Sequence, residues 1–495
     1  MKLHSPRSAG FQTFRAPVST GALRRSQACP LRNRRDSRFG NLRHLGVAAL
    51  SVLLVFSTNA AQDSRFSDEP APLQIDDFPK RPRPLIELGD RFLGTGNIQK
   101  GFKLPTGAVW HPSFWVYGNF RTAVQTFDNG TTRTTEWAND LSLFGNLQLA
   151  ATERVVIGIR PLRNDNGQFT GYDFEPAGAR GWREDFSENS FQLRTLFFEG
   201  EFGEVFPGLD KGDRRSLDYG ISVGRQPLNL QGGMLASDDS IDMVTITRNA
   251  LLPSFGSHMR VSGLFAWNEI ERNDNLETGT SRMFGLNSFV DFPKSTVTVD
   301  ALYAVTGNGS DGLYLGLGSV QRIGRINTTF RVIHSVAVEN ESAAVSDGTL
   351  LFAELSYEPP YTHNILYLNG YWGIDDFASA VRGPASGGPL GRTGILFAAV
   401  GLGNYGSALS NAASKSVGGA LGYQMFFGEL RRRQLILEVG GLSDTNNRGA
   451  SAEAIGARWQ RAFGRRTILR LDAFGALQEN AREAFGARME FLVKF

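Results

Sequence analysis

The stretch Phe485-Gly486-Ala487-Arg488-Met489-Glu490-Phe491-Leu492-Val493-Lys494-Phe495 decides the fold. Read every second residue, Phe485, Ala487, Met489, Phe491, Val493 and Phe495 form one series. Gly486, Arg488, Glu490 and Lys494 form the other, with Leu492 its apolar exception. A strand sends alternate side chains to opposite faces, so this segment has one apolar and one charged face. In a membrane barrel the apolar face of such a strand meets lipid and the charged face meets a hydrated lumen. An aromatic last residue fits the closing strand of a bacterial outer-membrane β-barrel.

Working back from the end, the same two-faced pattern recurs from Ser113 onward. Leu141, Leu143, Gly145, Leu147 and Leu149 alternate with Asp140, Ser142, Phe144, Asn146 and Gln148. Val297, Val299, Ala301, Tyr303 and Val305 alternate with polar Thr296, Thr298 and Asp300, and Leu435, Leu437 and Val439 with Gln434, Ile436 and Glu438. The connections are unequal. Short ones fall at 151–153, 292–295, 322–325, 359–362, 428–432 and 463–466; long ones at 164–189, 231–240, 271–280 and 374–414. Barrels of the outer membrane have short periplasmic turns and longer external loops, which makes parity a constraint on the strand count. Only Thr393–Gly403 breaks the parity. Assigning it to the long loop 374–414 leaves eighteen strands, with sixteen as the alternative count. The apolar centre of that loop, Ile395 to Val400, flanked by glycines, folds either into the lumen or over the rim. The expected fold class is therefore all-β, a transmembrane antiparallel β-barrel.

The amino terminus carries an address. Residues 1–44 hold ten of the 52 Lys and Arg and one of the 49 acids, Asp36. The apolar run Leu45–Phe56 and the small residues up to Ala61 follow, in the order of a signal peptide, and the run is too short to span a bilayer. The domain reading is a signal peptide with a long basic start at 1–60, a periplasmic extension at 61–112 and the barrel at 113–495. Without residues 1–60 the formal charge changes from +3 to six negative charges, and Cys29, the one cysteine, is lost. Nucleic-acid binding and thiol chemistry lose their support. No stretch of 18 apolar residues exists, as a membrane helix would need. The mean hydropathy of −0.22 is compatible with a barrel, because half of each strand faces water. The 57 glycines and 36 phenylalanines suit tight turns and interfacial aromatic girdles.

Catalytic and metal motifs are weak. Gly401-Leu402-Gly403-Asn404-Tyr405-Gly406 matches G-x-G-x-x-G, but no strong helix follows and no acid lies about 20 residues on, so a nucleotide site is not expected. His111, His258, His334 and His363 show no metal-ligand spacing. His334 and Ser335 are neighbours on a strand and face opposite ways, so they form no local dyad. No cofactor or metal is expected and no enzyme. An outer-membrane hydrolase and a secreted all-β carbohydrate-binding protein are the alternatives. Turn chemistry accounts for Asn164–Gly167 and Asn308–Gly312 without calcium.

The charged faces are more informative. Arg121, Arg160, Arg260, Arg331, Arg470 and Arg488 point inward if the apolar faces point outward, and so do Asp140, Asp218, Asp300, Glu354, Glu438, Asp472 and Glu490. Fixed charges along a pore set ion preference, and arginines favour anionic groups. The same residues also form bracing ion pairs, and the two signs nearly balance.

One segment carries a resemblance. Val223-Gly224-Arg225-Gln226-Pro227-Leu228, Gly232-Gly233-Met234-Leu235 and Asp238-Asp239-Ser240-Ile241-Asp242 resemble a strand, loop and aspartate-flanked strand of the alginate-export porin family. That resemblance implies passage of an anionic polysaccharide through an arginine-rich lumen, with Arg225 and Asp242 as lumen or constriction residues. The near balance of inward charge departs from that picture. The expected function is an outer-membrane channel for small hydrophilic or anionic solutes, with export or uptake of alginate-type saccharides as its finer form. The expected partners are outer-membrane lipid and lipopolysaccharide, such solutes, and the barrel-assembly machinery through the strand ending at Phe495.

Overall fold

The computed structural model describes residues 82–92, 100–163, 168–176, 180–183, 192–210, 217–307, 309–428, 430–446 and 450–495. The signal peptide and the first part of the extension lie outside them. Eighteen antiparallel strands close into a barrel. The first six are β1 (Ser113–Asp128), β2 (Arg133–Gln148), β3 (Arg154–Arg160), β4 (Gln192–Glu201), β5 (Tyr219–Leu230) and β6 (Ala236–Leu251). Next come β7 (His258–Asn268), β8 (Arg282–Asp291), β9 (Ser295–Val305), β10 (Gly312–Ile323), β11 (Ile326–Ala337) and β12 (Gly348–Tyr357). The last are β13 (Ile365–Asp375), β14 (Ser416–Phe427), β15 (Arg433–Asp444), β16 (Ala452–Phe463), β17 (Thr467–Gln478) and β18 (Ala484–Lys494). Closure comes from β18 on β1, from Phe485 opposite Asp128 to Lys494 opposite Asn119. A closed sheet has no free edge, the condition for β-structure in a bilayer.

The last strand shows the faces as read. Phe485, Met489 and Phe491 are 40, 44 and 39% exposed, whereas Arg488 and Glu490 between them are 3 and 0% exposed. Apolar outside and charged inside is the reverse of a water-soluble fold. Val299, Leu317, Val332, Leu368, Leu421 and Val439 continue the apolar band around the outside.

The six short connections all lie at the end that holds Ser113 and Lys494, and the four long ones at the other. At the short-turn end β18 stops opposite Asn119, so the edge of β1 below it would be bare. Ile86–Leu88 fills that place, with Ile86 opposite Val116 and Leu88 opposite Phe114. A hairpin of Phe102–Lys103 and Val109–Trp110 follows in the same extension.

Two readings change. The connection at 231–240 shrinks to Gln231–Leu235, because β5 runs to Leu230 and β6 starts at Ala236. Gln231 and Gly232, at φ 49° and 68°, turn the chain in that short space. Asp218 sits before β5 instead of on its inward face. Thr393–Gly403 is not a strand, as parity required; it belongs to the connection between β13 and β14.

Candidate functional site: the lumen and its inward-folded loops

The connection 376–415 enters the barrel. Its backbone is held to the inner wall by charged groups of both signs. The Ile395 and Leu396 amides each donate to the Glu438 carboxylate of β15 at 2.9 Å. Four strands further along the wall, Arg121 of β1 donates through Nη1 to the Gly401 carbonyl at 3.0 Å and through Nη2 to that of Val400 at 2.9 Å. Gln125 Nε2 donates to the Leu402 carbonyl at 2.7 Å, and Asn404 Nδ2 to Glu136 of β2 at 3.1 Å. Buried backbone groups need partners, and wall side chains supply them here. The G-x-G-x-x-G segment is thus a turn docked on a wall. Gly403 has φ 61°, and a Cβ there would fall on the Glu136 carboxylate, so the site takes only glycine.

The wall is shaped to receive the loop. Ala454 and Gly456 of β16, Ala476 of β17, and Ala484 and Gly486 of β18 all face inward at the loop's level. Leu396 packs over Gly456, and Tyr405 lies over Gly486 between Phe127 and Phe474 at ring separations of 5.6 and 6.0 Å. Phe397, fully buried, meets Tyr371 edge-on at 5.8 Å.

Two residues further along the same inward faces, the chemistry changes. Gly456 gives way to Arg458, Phe474 to Asp472 and Gly486 to Arg488. Arg488 Nη1 donates to Asp472 at 2.8 Å, and Arg458 pairs with the same carboxylate. Arg121 Nε donates to Glu490 Oε1 at 2.8 Å, Arg470 Nη1 to Oε2 at 3.2 Å, and Arg488 also pairs with Glu490. Four guanidiniums share two carboxylates. On the neighbouring arc, Arg163 donates to Asp140 at 2.8 Å, while Arg160 and Arg194 both donate to Asp239, at 2.8 and 2.7 Å. There three guanidiniums share two carboxylates. The near balance of sign over the whole wall hides this local excess of positive charge.

Arg121, Arg160, Arg260, Arg331, Arg470 and Arg488 all lie on inward faces. Arg331 donates to Glu354 at 2.9 Å, with loop residue Arg392 on its other oxygen at 3.4 Å, while Arg260 lies over Phe289. Arg225 and Asp242 do not line the lumen. They pair with each other across β5 and β6, at 2.9 Å, on the face that carries exposed Val223 and Ile246. Alternation along each strand fixes this: Arg225 shares the parity of Val223, and Asp242 that of Ile246. Glu269 takes a second bond from Arg225 at 2.7 Å, making an ion cluster on the outside of the barrel at the long-loop end. His334 is exposed on the outer face, and buried Ser335 faces in.

Sequence reading missed Arg163, Arg194, Arg458, Asp239 and Glu136. Arg458 sits in a series of small neutral neighbours (Ala454, Gly456, Gln460), which leaves its face without a charge pattern. Arg194 follows a register shift between β3 and β4, which breaks the alternation that would have shown its direction. In the connection after β7, burial pushes the Glu271 carboxyl up to about 8, with Asp238, Glu269 and Glu277 adding to it.

No family model matches the chain, and no curated protein matches it in sequence. Solved structures share its fold. OccK2 (OpdF) of Pseudomonas aeruginosa superposes with a TM-score of 0.51 at 12% identity, over 77% of this chain and 98% of that one. The P. aeruginosa outer membrane protein OpdK gives 0.50 at 11%, over 77 and 98%, and OccAB3 of Acinetobacter baumannii 0.50 at 9%, over 77 and 99%. The chain is an outer-membrane β-barrel of eighteen strands.

Proposed function

We propose that this barrel is a diffusion channel for small anionic, hydrophilic solutes. The observation that carries the reading is the grouping of Arg121, Arg458, Arg470 and Arg488 around Asp472 and Glu490, directly beside the loop that crosses the lumen. A positive wall next to a narrowing raises the local concentration of anions and retards cations. The inward fold of 376–415 favours small solutes over a polymer. Alginate-type oligosaccharides share the charge class, but the segment that resembles the alginate-export family places its Arg225 and Asp242 outside the lumen. Residues 61–112 are read as a periplasmic extension, with Ile86–Leu88 tying it to the base of β1. The terminal strand is read as the contact for barrel assembly.

Liposome swelling with the purified full chain tests this. A small carboxylate such as gluconate is expected to enter faster than a neutral sugar of its size, which enters faster than an amino sugar cation. Short oligouronates of increasing length give the alginate arm. Equal rates for the three charge types contradict the proposal.

A further inference from the structure

The two inward-folded connections meet each other before the longer one reaches Glu438 and Arg121, and Arg382 is where they join. It is 3% exposed. Its Nε donates to the Gly387 carbonyl at 2.9 Å and its Nη2 to those of Ser386 and Gly388, both at 2.8 Å, while Nη1 donates to Gly233 of the other connection. Val381 and Arg382 also run parallel to Ala236 and Ser237, with Ala380 N on Leu235 O at 2.8 Å and Ser379 Oγ on Met234 O at 2.7 Å. The convergence of carbonyls is built by sequence. Gly387 has φ 61°, and a Cβ on Gly388 would collide with the Asn411 carbonyl. Among the described residues Arg382 forms no ion pair with a carboxylate. A second buried arginine, Arg272, 1% exposed, anchors the joint to the wall through Ala380 O at 3.2 Å and Tyr314 Oη at 2.7 Å.

A guanidinium presents five N–H donors in a fixed plane, so it can bind several carbonyls at once where an ammonium presents a flexible point charge. The Asp238 carboxylate stabilises the charge from nearby, but the hydrogen bonds of the guanidinium go to backbone oxygens, and a buried cation so bonded has one evident use: it fixes those oxygens relative to one another. We propose that Arg382 is the positioning residue that sets the aperture, by holding 231–235 and 376–415 as one rigid body; this rests on the channel reading above. Arg382 touches no solute. Its loss frees the root of the long loop while leaving the arginines of the wall in place.

The test compares wild type, Arg382→Lys and Arg382→Ala in planar bilayers, each first shown to be a folded barrel by heat-modifiable mobility. Single-channel conductance of Arg382→Ala is expected to rise at least two-fold, with a reversal potential closer to zero, and Arg382→Lys to fall between. Arg322→Ala, at the end of β10 beside the turn at the opposite end of the barrel, serves as the control and is expected to behave as wild type. Unchanged conductance and reversal potential in both Arg382 variants overturn the proposal. Trypsin cleavage after Arg392 in the intact barrel is a second readout that needs no current. Faster cleavage in the variants supports the joint, and equal rates contradict it. A wild type that passes no current, with faster cleavage in the variants, sinks the channel reading and keeps the joint.

Discussion

The lumen wall has two storeys that differ in almost every respect although they share the same strands. Nearer the long-loop end, β16 to β18 present Ala454, Gly456, Ala476, Ala484 and Gly486, and the loop fills the space above them with Leu396 and Tyr405. One inward position further on, the same strands present Arg458, Asp472, Arg488 and Glu490. The upper storey behaves as the core of a folded protein, close-packed and intolerant of added volume. The lower storey is a buried electrolyte, with charges held by charges. On the proposed channel function, the narrowing belongs to the first and the selectivity to the second, so each can be perturbed alone.

The largest effect is expected from removing the narrowing. Replacing residues 389–411 by a short Gly-Ser link should raise single-channel conductance several-fold while the barrel still folds, because no barrel strand is lost. Unchanged conductance would mean that the loop does not narrow the path. Next in size is Arg488→Ala. It leaves Asp472 and Glu490 with fewer cations, and removal of one partner from a buried ion network costs about 3–5 kcal/mol. Thermal melting should fall, and the reversal potential should move toward zero with conductance nearly unchanged. The upper-storey counterpart, Gly456→Leu, meets the Leu396 side chain and should do the opposite, raising conductance with little change in selectivity.

The smallest effect concerns Glu271, at the mouth. Its carboxyl is held above its ordinary 4.5, at about 8. The neutral form is thus favoured by the fold: its contribution is complete below about pH 4.5 and is lost as pH rises through about 8. The apparent melting temperature should drop between pH 5 and pH 9, and Glu271→Gln should reduce the drop. An identical drop in the variant would remove Glu271 from the account.

What was legible in the sequence follows from this division. Strands were legible because lipid outside and water inside impose a period of two, as in Leu141–Leu149 and Phe485–Phe495. The count followed from loop parity, which demoted Thr393–Gly403. The path of that segment was not legible, since an apolar run with glycines suits a rim and a lumen equally until Glu438, Arg121 and Glu136 are seen to hold it. The inward direction of Arg121, Arg331 and Arg488 came from their apolar neighbours. Arg225 and Asp242 were assigned to the lumen through resemblance, yet Val223 and Ile246 on their own faces already point outward. Net positive charge beside the loop was hidden because it arises across strands, from Arg458, Arg470 and Arg488 meeting around Asp472 and Glu490.

The most direct measurement of the central claim is the zero-current potential of the wild-type channel in a planar bilayer under a ten-fold potassium chloride gradient. The account predicts ohmic steps and a potential of the sign that marks chloride as the more permeant ion, moving toward zero in Arg488→Ala. A cation-selective potential, or a folded barrel with no conductance, would contradict it.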